Sequence, residues 1–113
     1  MSERGDKDFL RDIQEAVRRI GAYLGAMPYE AFVEDTKTQD AVIRNLEVIG
    51  EATKNLSGEL RTRHSDIPWR SMAGVRDRLI HDYFGINLDI VWHIATAELP
   101  AVTSRIVEII GEE

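Results

Sequence analysis

TQDAVIRNLEVIGEATKNL, residues 38–56, places Val42, Leu46, Ile49 and Leu56 at intervals of three, four and seven. That spacing puts them on one face of an α-helix, and no alternating strand pattern competes with it. Gly50 lies inside this helix and allows another helix to come close. Arg44, Glu47 and Glu51 share a second, polar face, and residues 55–57 mark the exit. Upstream, Phe9, Ile13, Val17, Ile20 and Leu24 repeat the pattern, with Asp6 or Asp8 available as a cap and Met27-Pro28 as a stop. Residues 29–33 read as a turn or a short helix, and residues 60–67 as an irregular basic connection. Pro68 suits the first turn of a third helix. That helix carries Trp69, Met72, Val75 and Leu79 and is expected to end near Tyr83–Gly85. Asn87 then caps a fourth, with Ile90, Val91, Ile94, Val102, Ile106, Ile109 and Ile110 on its apolar side. Pro100 is expected to bend or break it. The expectation is an all-α, four-helix up-and-down bundle forming one domain over residues 1–113.

Composition narrows the function classes. Of 113 residues, 43% are hydrophobic and 30% charged, as in an ordinary globular domain. Such a short chain keeps much of its surface wet, so pairing with a second copy is a reasonable expectation. No apolar run nears the roughly 18 residues that span a bilayer. The first nine residues lack the apolar centre of a signal peptide, so a cytoplasmic location and no membrane are expected. With no cysteine, disulfides, thiol catalysis and Cys-based zinc sites are excluded. Three scattered histidines give no metal spacing, His64 and His93 reading as solvent-exposed or structural. No glycine-rich phosphate loop follows a strand. Neither metal nor cofactor is therefore expected.

The net charge of −6 argues against general nucleic-acid binding, but the cations are unevenly spread. Residues 61–81 hold Arg61, Arg63, Arg70, Arg76 and Arg78 against Asp66 and Asp77, a local balance of +3. Arginine is the better grip on a phosphate because its planar fork binds two oxygens at once. Within this stretch, Arg76-Asp77-Arg78-Leu79-Ile80-His81-Asp82-Tyr83 concentrates the chemistry. On a regular helix, Arg76 and Tyr83 share a face, Asp77 meets His81, and Arg78 meets Asp82. His81 would sit roughly 140° from Arg76, joining it only at a distorted helix end or across the rim of a cleft. A histidine moves protons near neutral pH, and an arginine stabilises charge growing on a phosphoryl oxygen. Asp77 could fix the imidazole tautomer and, with the helix C-terminus, favour its charged form. On RNA this pair could work without metal. His81 takes the 2′-hydroxyl proton, the oxygen attacks the adjacent phosphorus, and Arg76 stabilises the pentavalent state, giving a cyclic 2′,3′-phosphate. DNA lacks the hydroxyl and would resist. The same residues also read as solvated ion pairs of an exposed helix, and Tyr83 as a half-buried aromatic.

The chain resembles the HEPN group, specifically the HepT-like toxins. Arg76-x4-His81-x-Tyr83 matches their Arg-x4-His-x-Tyr signature. Residues 43–52 (IRNLEVIGEA), Ile67-Pro68-Trp69 and residues 87–92 (NLDIVW) match in order around it. The resemblance covers nearly the whole chain. It implies a four-helix HEPN bundle that dimerises and so brings two Arg–His sites into one cleft. It further implies a metal-independent endoribonuclease, the toxin of a type VII-like toxin–antitoxin pair. By that resemblance Arg76 and His81 are catalytic, Asp77 is a supporting residue, and RNA is the substrate. A MntA-like nucleotidyltransferase antitoxin would transfer AMP from ATP onto Tyr83, and the added negative charge beside Arg76 would repel RNA. Two other readings remain: a non-catalytic helical subunit that binds a nucleotidyltransferase, and a purely structural helical dimer. The Arg44–Glu47–Glu51 face has no chemistry assigned to it beyond supporting the dimer or the cleft.

Overall fold

The computed structural model describes residues 4–80 and 85–113. Among them the architecture is all-α: α1 (Asp6–Leu24), α2 (Tyr29–Phe32), α3 (Thr36–Lys54), α4 (Gly58–Arg63), α5 (Trp69–Ala73), α6 (Val75–Leu79), α7 (Leu88–His93), a π-helical turn (Ile94–Glu98) and α8 (Leu99–Glu112). This is the all-α architecture expected of a HEPN bundle. The long antiparallel helices α1 and α3 form its centre. Helix α8 covers α1 on one side, and α5 and α6 lie against α3 on the other.

The apolar repeats read from the sequence fill the core. Ile13, Ile20 and Leu24 of α1 and Val42, Leu46 and Ile49 of α3 are buried, as are Ile106 and Ile109 of α8. Phe9 and Val17, assigned to the same stripe of α1, are only partly buried, and Leu10 and Ala16 take the inner positions. The cap of α1 is Gly5, whose N–H donates to Asp8 Oδ2 at 3.1 Å. Asp6 instead accepts from the backbone and hydroxyl of Ser57, at 2.8 and 2.6 Å. Helix α3 starts slightly earlier than read, with Asp35 accepting from Thr38 N. Trp92 ties α7 to α2, its ring centroid lying 5.6 Å from Tyr29 and 5.2 Å from Phe32.

Three expectations are corrected. Residues 60–67 are not wholly irregular, because Ser57 caps a short helix, α4, by accepting from Leu60 N at 3.1 Å, and Leu60 is fully buried. Pro100 does not end the fourth helix but lies just after the point where its regular α-helical bonding is interrupted, between α7 and α8. The π-helical turn just before it bonds Leu99 N–H to Ile94 O, and the proline falls in the first turn of α8, where its missing N–H is tolerated. The third helix is not continuous and stops earlier than expected. It divides at Gly74 and ends at Leu79, and Ile80 is extended (φ −88°, ψ 129°).

Candidate functional site

Helix α6 is five residues long, too short to persist without tertiary contacts. Val75 and Leu79, one helical turn apart, are its buried anchors. Val75 seats against α3 at Gly50, where a Cβ would come 2.8 Å from Val75 Cγ1 and 3.4 Å from Met72 O. Gly50 thus sets the close helix approach read from the sequence. With those anchors inward, Arg76 and Asp77 are exposed.

Beyond α6, two contacts bring the chain back on itself. Asn87 N–H donates to Leu79 O at 2.8 Å, and Ile80 forms an isolated antiparallel bridge with Ile86. Gly85 turns the chain at φ +83°, a region that glycine enters without steric cost. The Asn87 side chain caps α7 by accepting from Ile90 N at 3.2 Å, as expected. His81 and Tyr83, with the neighbouring Asp82, lie outside the described residues.

This backbone path corrects the helical-wheel reading. Ile80 is extended, so the pairings Arg76–Tyr83, Asp77–His81 and Arg78–Asp82 cannot be inferred from continuous helical spacing. Nor does the 140° separation of Arg76 and His81 apply. Arg78 is committed elsewhere: Nη1 and Nη2 donate to Glu98 Oε1 and Oε2 at 2.8 and 2.7 Å, and Nη1 also donates to Ser71 Oγ at 3.0 Å. This two-point contact raises the Arg78 pKa and lowers that of Glu98 from its ordinary range. It fixes α5, α6 and the π-helical turn to one another, a structural role.

Arg76 lines a groove of about 480 Å³ between α1, α3 and the α5–α6 junction. Arg44, Glu47 and Glu51, the polar face of α3, line the same groove. So do Arg4 and Phe9, which the sequence reading left without a functional role. Arg4 lies over the Phe9 ring, 4.9 Å from its centroid, and pairs with Asp12 at 2.8 Å. The groove can receive a ligand carrying both negative charge and hydrogen-bond donors.

Of the other histidines, His93 is exposed and 3.5 Å from Glu98. His64 is buried: Arg105 Nη2 lies 3.1 Å from its Nδ1, and Glu112 lies 3.4 Å from its Nε2. The His64 carbonyl accepts from Trp69 Nε1 at 2.9 Å, so this histidine is part of the scaffold. No helix among the described residues is long and apolar enough to cross a membrane.

Comparison with known proteins agrees with this architecture. The family model described as "Ribonuclease HepT-like" matches residues 13–109. The chain is 43% identical to the "Probable ribonuclease HepT" of Thermococcus cleftensis, over 91% of this chain and 94% of that protein. It is 44% identical to a Methanocaldococcus jannaschii protein whose name carries RNase, over 99% and 93% of the two chains. A similarly named protein of Caldanaerobacter subterraneus subsp. tengcongensis is 46% identical, over 95% and 96%. No solved structure matches. With the family model covering most of the chain and such relatives matched nearly end to end, the chain belongs to the ribonuclease HepT-like family.

Proposed function

We propose that this chain, as one domain over residues 1–113, is a metal-independent endoribonuclease and the toxin of a toxin–antitoxin pair. Arg76 and His81 are its catalytic residues and Asp77 supports them. The observation that carries the reading is the placement of Arg76, exposed on α6 at a mixed-charge groove, four residues before the chain leaves the helix at Ile80. The names of its relatives carry the same coarse activity, ribonuclease.

In the reaction, His81 removes the proton of a ribose 2′-hydroxyl. The 2′-oxygen forms a bond to the adjacent phosphorus, and the bond from phosphorus to the 5′-oxygen breaks. The leaving oxygen takes a proton, so the products are a 2′,3′-cyclic phosphate and a 5′-hydroxyl end. Arg76 stabilises the charge that gathers on the phosphoryl oxygens in between, where an aligned cation contributes most. A second copy brings a second Arg–His site to the same cleft and adds arginines around the RNA, which helps a chain of net charge −6 hold a polyanion.

Control of this activity rests on Tyr83. A MntA-like nucleotidyltransferase transfers the adenylyl group of ATP to the tyrosine oxygen, forming a phosphodiester and releasing pyrophosphate. The added charge competes for Arg76 and repels RNA. The net acidity of the chain and the two glutamates of the groove favour one alternative, a non-catalytic subunit that binds the nucleotidyltransferase. Incubating the protein and its His81→Ala variant with RNA in EDTA separates the two. Cleavage by the wild type alone supports the ribonuclease; no cleavage by either supports the subunit.

A further inference from the structure

The groove beside Arg76 holds a feature that cleavage chemistry does not use. Glu47 and Glu51, one turn apart on α3, face the same space as Arg44 and Arg76. Among the described residues, neither glutamate is in an ion pair with either arginine, whereas the groove's Arg4 pairs with Asp12 and seven arginine–carboxylate pairs form elsewhere. Two carboxylates in a groove meant for a polyanion repel its phosphates. Toward RNA, they suit a part that presents N–H donors.

We infer that this groove is a nucleobase subsite for guanine, with the Glu47 and Glu51 carboxylates accepting from its N1–H and N2–H groups. Guanine is the RNA base whose Watson–Crick edge offers two adjacent N–H donors, matching the two oxygens of one carboxylate. Unstacked RNA bases are read along that edge while they stack on an aromatic ring or an arginine plane. Arg4 supplies such a plane. Asp12 and the Phe9 ring hold its guanidinium, yet the side chain stays 55% exposed. Arg44 and Arg76 meet the flanking phosphates. The inference rests on the ribonuclease reading and names the substrate feature that the same site selects.

The test measures binding of 3′-GMP, 3′-IMP and 3′-AMP to the full chain by calorimetry, which does not depend on cleavage. Inosine lacks only the 2-amino group of guanine. The expected result is at least about tenfold tighter binding of 3′-GMP than of 3′-IMP, the range of one two-point base contact. The Glu47→Gln/Glu51→Gln double variant should lose that preference while keeping the wild-type circular dichroism spectrum. Equal binding of the three nucleotides, or a preference that survives both substitutions, overturns the guanine subsite. A double variant that alters sedimentation but not nucleotide preference assigns the face to a second copy and overturns it too. Wild-type cleavage of RNA without nucleotide preference removes the subsite and leaves the ribonuclease standing. Guanine preference without cleavage does the reverse.

Discussion

The backbone N–H of Asn87 donates to the carbonyl of Leu79 at 2.8 Å, joining the end of α6 to the start of α7. With the Ile80–Ile86 bridge, this contact closes the base of the segment that carries His81 and Tyr83. The two ends of that segment are therefore set by the packing of α6 and α7.

Gly85→Ala should disturb this closure without touching the core. A side chain at φ +83° costs about 1–2 kcal/mol. Urea unfolding should show that loss, and RNA cleavage measured well below the unfolding midpoint should fall several-fold. Asn87→Ala should cost about 1 kcal/mol through loss of the α7 cap. It should affect cleavage less, because alanine keeps the N–H that reaches Leu79.

Gly50→Ala should be more damaging than an ordinary glycine-to-alanine change in a helix, which usually stabilises. Its Cβ would stand 2.8 Å from Val75 Cγ1 with little room to yield, since valine is stiff at χ1. The expected loss is about 1–3 kcal/mol. Gly50→Ala should therefore cost less stability in a Val75→Ala background, where the clashing methyl is gone, than in the wild type. Strict additivity of the two substitutions in denaturation would show that the contact does not limit packing.

Stability should fall on acidification. The two-point contact with Arg78 holds the Glu98 carboxyl below its ordinary value of 4.5. The unfolded chain therefore takes up the proton more readily than the folded one. The stabilisation is full above about pH 4.5 and is lost as pH falls through the lower folded value. Asp66, held down by Arg105, behaves in the same sense below its ordinary 3.8. Glu98→Gln should flatten the acid limb of a plot of unfolding free energy against pH; an unchanged slope would remove Glu98 from it.

The tyrosine switch predicts a mass change. Mixed with ATP and the MntA-like nucleotidyltransferase, the wild-type chain should gain one or more AMP units and lose RNA cleavage. Tyr83→Phe should gain none and stay active. A gain that persists in Tyr83→Phe places the modification on another residue.

Much of the bundle was legible because it rests on local periodicity. Ile13, Ile20 and Leu24, the Val42–Leu46–Ile49 series, the Asn87 cap and the approach at Gly50 all follow from spacing within one helix. The end of the third helix was not legible. It depends on Asn87 reaching back to Leu79, and on Glu98, twenty residues away, holding Arg78. A helical wheel drawn across Ile80 therefore paired residues through a helix that stops one residue earlier. The π-helical turn escaped for a related reason: Pro100 signals a missing N–H, but not how the preceding turn accommodates it. The polar face of α3 was visible as Arg44, Glu47 and Glu51. Its place beside Arg76 became visible only once α5 and α6 packed onto α3.

The most direct test of the central claim is analysis of RNA ends after incubation in EDTA with wild type, Arg76→Ala and His81→Ala. Wild type should leave 2′,3′-cyclic phosphate and 5′-hydroxyl ends, and a 2′-deoxy substitution at the cleaved nucleotide should block the cut there. Each variant should lose at least about a hundredfold in rate. Cleavage that persists unchanged in His81→Ala, or that proceeds across the 2′-deoxy position, would contradict the account.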